Sequence, residues 1–138
     1  KDYANKYGIN PERIIFASRA PNNEHIARHA LADLYLDTLP YNAHTSASDA
    51  LSMNLPIVTL KGDTFASRVA GSLLHSLGLD ELISENIENY ILCASRITED
   101  TKYRQDIIHK LNEAKKTSPI FQPQLFVKTL ESVYQNLI

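Results

Sequence analysis

The sequence predicts an α/β fold: a three-layer domain in which parallel strands are covered by helices, followed by a helical tail. Three observations predict it. Short β-favouring runs at Arg13-Ile14-Ile15-Phe16-Ala17, Leu34-Tyr35-Leu36-Asp37 and Ile57-Val58-Thr59-Leu60 are too evenly apolar for strands with one wet face, and suit burial on both sides. Stretches of helical periodicity separate them, so the order reads β-α-β-α-β. Beyond the third run the apolar spacing stays helical, and no further strand is expected.

Each element has its own signal. The chain opens on a helix-like stretch from Asp2 to Tyr7. Between the first two strand runs, Asn23 to Asp33 sets Ile26, Ala27, Ala30, Leu31 and Leu34 on one side of a helix. Ser46 to Asn54 carries Ala47, Ala50, Leu51 and Met53 before Pro56 stops it. After the third run, Phe65, Val69, Leu73 and Leu77 recur every four residues and Gly78 supplies a stop, which predicts a helix of about three turns. The tail holds a helix marked by Ile87, Ile91 and Ala94, a second by Tyr103, Ile107, Leu111 and Ala114, and a third by Phe126, Leu130, Val133 and Leu137. Pro123 opens the third near its first turn, and the stretch Lys115 to Pro119 separates it from the second.

The length of 138 residues predicts a single domain, 1–138, with one core. Fourteen Lys and Arg against sixteen Asp and Glu leave a net charge of −2 without a basic cluster, so no nucleic-acid partner is expected. Cys93 is the only cysteine; it can form no internal disulfide, offers no zinc motif and is read as a helix-packing residue. No apolar run approaches the roughly 18 to 20 residues that span a bilayer, so no membrane partner and a soluble, cytoplasmic protein are expected. The chain begins at Lys1, directly in a helix-like stretch, as an excised piece of a longer protein would.

In an open parallel sheet, ligands sit at the carboxyl ends of the strands, which directs attention to the polar connections 18–24, 38–49 and 61–67. The second leaves a strand and enters a helix through His44, Thr45 and Ser46. Free backbone N–H groups, hydroxyls and the positive end of the helix dipole converge there, as a phosphate requires. Neither the glycine fingerprint of a dinucleotide site nor a Walker A loop is present. Asp49, one turn on, can accept both hydroxyls of a ribose; the competing reading is a capping box from Ser46 to Asp49. His44 is either a donor to phosphate or sugar or a plain loop residue. His25 either stacks on a base or faces solvent. His25 and His29 share a helix face, but no third ligand accompanies them, so no metal site is expected.

Together these segments resemble a known family. Ala20-Pro21, Glu24-His25 and Arg28, then Leu31 to Thr38, His44-Thr45-Ser46 with Asp49, Pro56 to Thr59, Ala66 to Ala70 and Ser118-Pro119-Ile120-Phe121 are similar, in order and spacing, to the C-terminal catalytic half of the O-linked N-acetylglucosamine transferases and their bacterial and SPINDLY-like relatives. The likeness extends over nearly the whole chain. It implies a Rossmann-like part of a GT-B glycosyltransferase, which moves a sugar from a nucleotide-sugar donor to protein Ser/Thr hydroxyls. It also implies roles: Ala20 offers backbone contacts to uracil, His25 stacks on the base with Arg28 nearby, His44, Thr45 and Ser46 embrace the diphosphate, and Asp49 holds the ribose. The implied partners are a UDP-sugar, UDP-N-acetylglucosamine or another UDP-hexose, and an acceptor protein. Tetratricopeptide helices are implied upstream. No cofactor and no metal are expected, because fixed N–H and hydroxyl donors can stabilise the departing diphosphate.

The sequence departs from the family at three places. Asn22 stands where the Ala-Pro-Lys segment has lysine, removing a cation from the nucleotide side; Ser46 ends the His-Thr-Thr pattern but keeps a hydroxyl. Tyr41 stands where N-acetylglucosamine-using members have a small residue, on the donor-sugar side, which leaves glucose, N-acetylglucosamine and a GDP-linked sugar open. A GT-B nucleotide-sugar epimerase and a non-catalytic interaction domain are the alternative readings. The resemblance assigns no catalytic base to these residues.

By the doubly wound order 3-2-1-4-5, the run at Ile14 is the third strand, and two strands outside this sequence would separate it from the run at Leu34. Unpaired edges and apolar faces invite pairing. The 138-residue chain alone is therefore expected to self-associate through its sheet or to bring its own strands together. A concentration-independent monomer in sedimentation, with the gap still open in its structure, rules this out.

Overall fold

The computed structural model describes residues 1–137. Its sheet has three parallel strands in the order β1 (Tyr35–Leu36), β2 (Ile57–Leu60) and β3 (Ile83–Ser84). Tyr35 pairs with Ile57 and Leu36 with Val58 on one side of β2, and Thr59 pairs with Ile83 and Leu60 with Ser84 on the other. Around it stand α1 (Asp2–Lys6), α2 (Asn22–Ala27), α3 (Thr45–Ser52), α4 (Val69–Ser76), α5 (Ile87–Glu99), α6 (Thr101–Thr117) and α7 (Pro123–Gln135). Of the three predicted strand runs, those at Leu34 to Asp37 and Ile57 to Leu60 form strands, and the helical tail is the one the sequence predicts.

The core is built on β2. Ile57, Val58 and Thr59 are all buried, and since successive side chains of a strand point to opposite faces, both faces are covered. The same cluster takes in Ala47, Ala50 and Leu51 of α3, Ala70 and Leu74 of α4, Ile97 of α5, and Ile107 and Leu111 of α6. Alanines and a glycine bring helices close to the strands: a methyl group placed on Gly71 would lie 3.6 Å from the Ile83 side chain.

Helix ends follow their chemistry. α3 stops at Asn54, whose φ of 61° is the left-handed conformation that closes a helix. Leu55 N–H then reaches the Ala50 carbonyl at 3.0 Å. Lys115, from α6, donates to the Ser52 carbonyl and to Asn54 Oδ1, placing a cation at the negative end of the α3 dipole. Burial pushes the Lys115 ammonium below its ordinary range. α4 ends the same way at Gly78, φ 67°, the predicted stop.

Several expectations are corrected. The run Arg13 to Ala17 forms no strand: Pro11–Arg13 is a 3-10 turn, and Ile15 and Phe16 are 86% and 76% exposed. A strand needs a neighbour, and among the described residues none lies beside this run, so the strands do not close the gap. The expected helix over Asn23 to Asp33 is α2 followed by a 3-10 turn, Arg28–Leu31, which leaves Leu31 exposed. His29 Nδ1 lies 3.1 Å from both the His25 and Ile26 carbonyls within this segment. Phe65 belongs to a separate 3-10 turn, Phe65–Ser67; of the predicted series Leu77 is buried and Leu73 packs at the edge of the core, while Ala70 and Leu74 supply the fully buried positions of α4. β3 is a strand where none is expected; it is two residues long, and its partner on β2 specifies it.

The tail is mixed. α6 buries Ile107 and Leu111 as its periodicity predicts, and α5 runs longer than its signal, burying Ile97 while Ile87 and Ile91 stay exposed. Cys93 is half-buried on α5, and burial pushes its thiol up. Along α7 the apolar stripe Phe126, Leu130, Val133 forms but faces solvent. No helix among the described residues is long and apolar enough to cross a membrane. Leu111→Ala, which empties a fully buried site in the core cluster, is expected to lower unfolding free energy by about 2 to 5 kcal/mol, measurable by urea titration.

Candidate functional site

The carboxyl ends of β1 and β2 release two loops that lean on each other. The first, 38–44, leaves Asp37 and delivers the chain to α3; it contains a cis peptide between Leu39 and Pro40. The second, 61–68, follows β2. Asn42 N–H donates to the Ala66 carbonyl at 2.9 Å, and His44 Nε2 lies 3.5 Å from the same oxygen. Gly62 is required in the second loop, because a methyl group there would lie 2.4 Å from Ser67 Oγ. Ser67 and Thr64 cap each other reciprocally around the 3-10 turn, which stiffens the loop.

His44 is the residue before α3, and its side chain makes no capping hydrogen bond. Its ring is held between aromatic neighbours: Tyr41 stacks on it with centroids 4.8 Å apart, and Phe65 meets it edge-on at 6.0 Å. Tyr41 itself is exposed. Thr45 and Ser46 are the first residues of α3, Thr45 exposed and Ser46 half-buried. This corrects the capping-box reading, because Ser46 lies inside the helix and its hydroxyl accepts from Tyr35 OH at 3.2 Å. The half-buried Asp49 follows one turn on, and among the described residues its carboxylate enters no hydrogen bond or ion pair; only its main-chain carbonyl accepts, from Ser52 Oγ at 2.6 Å.

The second group of expected residues lies on and before α2. Arg28 directs both terminal nitrogens at the Ser18 carbonyl, each at 3.3 Å, and so braces the non-helical segment that carries Ala20. His25 is half-buried, with its ring edge-on to His29 at 5.3 Å. His29 stacks toward Tyr35 at 6.4 Å, and Tyr35 reaches Ser46. A continuous line of side chains, His25, His29, Tyr35 and Ser46, thus joins the two groups. Among the described residues no cluster of three or more His, Cys, Asp or Glu is placed to hold a metal ion.

Three residues of the site escape a sequence reading. Phe65 reads as a buried helix position yet stands exposed beside His44. Asn42 is buried and donates its side-chain amide to the Thr38 carbonyl at 2.9 Å. Asp37 is buried and takes three donors; the one available signal is an acidic residue closing an apolar strand. Tyr90, from α5, donates to the Asp37 main-chain carbonyl at 2.8 Å, and burial, then the nearby Asp37 charge, push its hydroxyl up. A concavity adjoins the far side of the second loop. It is an open groove of about 720 Å³ beside α4 and β3, lined by Lys61, Phe65 and Arg68 of the second loop together with His75, Ile83 and others.

Comparison with known proteins gives the family of the chain. Residues 1–130 match the model of glycosyl transferase family 41. The chain is 33% identical over 133 residues to a UDP-N-acetylglucosamine–peptide N-acetylglucosaminyltransferase of Caenorhabditis elegans, covering 96% of this chain and 12% of that protein. It is 36% identical over 135 residues to the probable enzyme of this name, SEC, of Arabidopsis thaliana, covering 97% of this chain and 14% of that protein. A solved structure of a Thermobaculum terrenum O-GlcNAc transferase mutant superposes with a TM-score of 0.86 at 32% identity, over 96% of this chain and 25% of that one. The chain therefore spans about an eighth of the length of the curated relatives it matches. A family match over nearly the whole chain, with the parallel α/β fold of a GT-B fragment, makes this chain a member of glycosyl transferase family 41.

Proposed function

We propose that this chain holds the nucleotide-sugar half-site of a protein O-glycosyltransferase, which transfers a sugar from a UDP-sugar, UDP-N-acetylglucosamine or another UDP-hexose, to Ser/Thr hydroxyls of an acceptor protein. The observation that carries the reading is the start of α3: a histidine, two hydroxyl residues and the unpaired backbone N–H groups of a helix N-terminus stand together at the carboxyl edge of the sheet. That arrangement suits a diphosphate. Asp49 follows with a carboxylate that takes no hydrogen bond or ion pair among the described residues, as a partner for ribose hydroxyls requires. Family membership supports the donor class, since relatives carry a UDP-N-acetylglucosamine donor in their names.

The chemistry follows from these groups. The acceptor hydroxyl attacks the anomeric carbon and gives up its proton to a general base that is not assigned among these residues, while the bond to the diphosphate oxygen breaks and negative charge grows on the departing nucleotide. N–H and hydroxyl donors at His44, Thr45 and Ser46 stabilise that charge without reorganising, and the α3 dipole adds to them. On this reading the transfer calls for no metal or other cofactor. His25 and the Ala20 backbone take the base, with Arg28 holding the Ser18 carbonyl and thereby the segment around Ala20.

Two measurements test the site. Asp49→Ala in the full-length protein is expected to weaken UDP binding by about 1 to 3 kcal/mol, the range for losing charge-assisted hydrogen bonds. Its melting temperature should hardly change, because the carboxylate supports nothing in the fold; unchanged affinity in calorimetry, for UDP and GDP alike, would sink the assignment. Tyr41 limits the donor pocket against an N-acetyl group, so Tyr41→Ala or Tyr41→Cys is expected to raise use of UDP-N-acetylglucosamine relative to UDP-glucose, by relief of an overlap worth on the order of 1 to 3 kcal/mol. A wild type that already prefers the N-acetylated donor, with variants of the same ratio, overturns this.

A further inference from the structure

Asp37 is the only acidic or basic side chain buried among the described residues. It follows β1, and its carboxylate is spent on hydrogen bonds within the protein. Oδ1 accepts the N–H of Thr38 at 2.9 Å and that of Ala43 at 2.7 Å, while Oδ2 accepts the Thr59 hydroxyl at 2.6 Å. One oxygen thus pins both ends of the 38–43 loop, and the other ties that pin to the central strand. No ion pair among the described residues involves it.

Taking a carboxylate out of water is expensive. What it supplies in exchange is acceptor capacity for three donors at once, in charge-assisted bonds that are shorter and stronger than neutral ones. The segment it fixes is the one that leads into the diphosphate site. The chain passes from Ala43 straight to His44, the Tyr41 ring stacks on His44, and Asn42 fastens the same loop to the Thr38 and Ala66 carbonyls.

We propose that Asp37 is a positioning residue for nucleotide binding: through Thr38, Ala43 and Thr59 its carboxylate sets where the Tyr41–His44 ring pair and the first turn of α3 stand, and so governs affinity for a nucleoside diphosphate that it does not touch. The inference rests on the reading of the α3 start as a diphosphate site. Thr59 is its second half, since the Thr59 hydroxyl alone links the carboxylate to β2.

The test uses the full-length protein, with whichever of UDP and GDP the wild type binds as probe. Asp37→Asn and Thr59→Val are expected to weaken binding about tenfold, the size of one lost charged hydrogen bond, and to speed amide exchange in the peptide that contains Ala43. Thr59→Ser keeps the donor and loses a methyl, so it should lower the melting temperature yet bind within about twofold of wild type. If Asp37→Asn does not fold, the Thr59 pair decides. Folded Asp37→Asn or Thr59→Val with wild-type affinity overturns the positioning role while leaving the nucleotide site intact. Thr59→Ser falling as far as Thr59→Val overturns it as well, because bulk and not donation would then matter. A wild type that binds neither nucleotide removes the reading of the site, and this inference with it.

Discussion

The burial of β2 from both sides is the constraint on which the molecule turns. Ile57, Val58 and Thr59 point alternately to the two faces of the sheet and none meets solvent. A strand so enclosed must have its backbone groups paired along both edges, which β1 and β3 do, and its faces covered, which α3, α4 and α5 do. Because all three strands run in parallel, their carboxyl ends come to one edge and release their loops on the same side. Thr59 is the point where this packing becomes chemistry: its backbone belongs to the ladder, its methyl to the core, and its hydroxyl to Asp37.

Electrostatics at that edge are arranged through dipoles more than through cations. The connection 18–24 holds Asn22 and no lysine, and the side chains gathered at the start of α3 are histidine, threonine and serine. The helix dipole adds positive potential there, and its opposite end is closed by Lys115. One cation thus stabilises the negative terminus of α3, while the positive terminus carries no side-chain cap. Arg28, the nearest cation of the α2 segment, is committed to a protein carbonyl.

What the sequence determined by itself is whatever depends on local pattern. The unbroken apolar run at Ile57 to Leu60 had to be a doubly covered strand, Gly78 had to end a helix because its φ of 67° favours a residue without a side chain, and the Ile107–Leu111 spacing had to face a core. The hydroxyl-rich entry to α3 and the aspartate one turn on were legible for the same reason. Tertiary structure decided everything that needs a second surface. Among the described residues Arg13 to Ala17 has the composition of a strand but pairs with none, the apolar stripe of α7 stays exposed, and β3 exists because β2 offers it an edge. It also decided the inner face of the site. Asp37 and Thr59 are 22 positions apart, and only the parallel pairing of their strands brings a carboxylate and a hydroxyl within hydrogen-bonding distance.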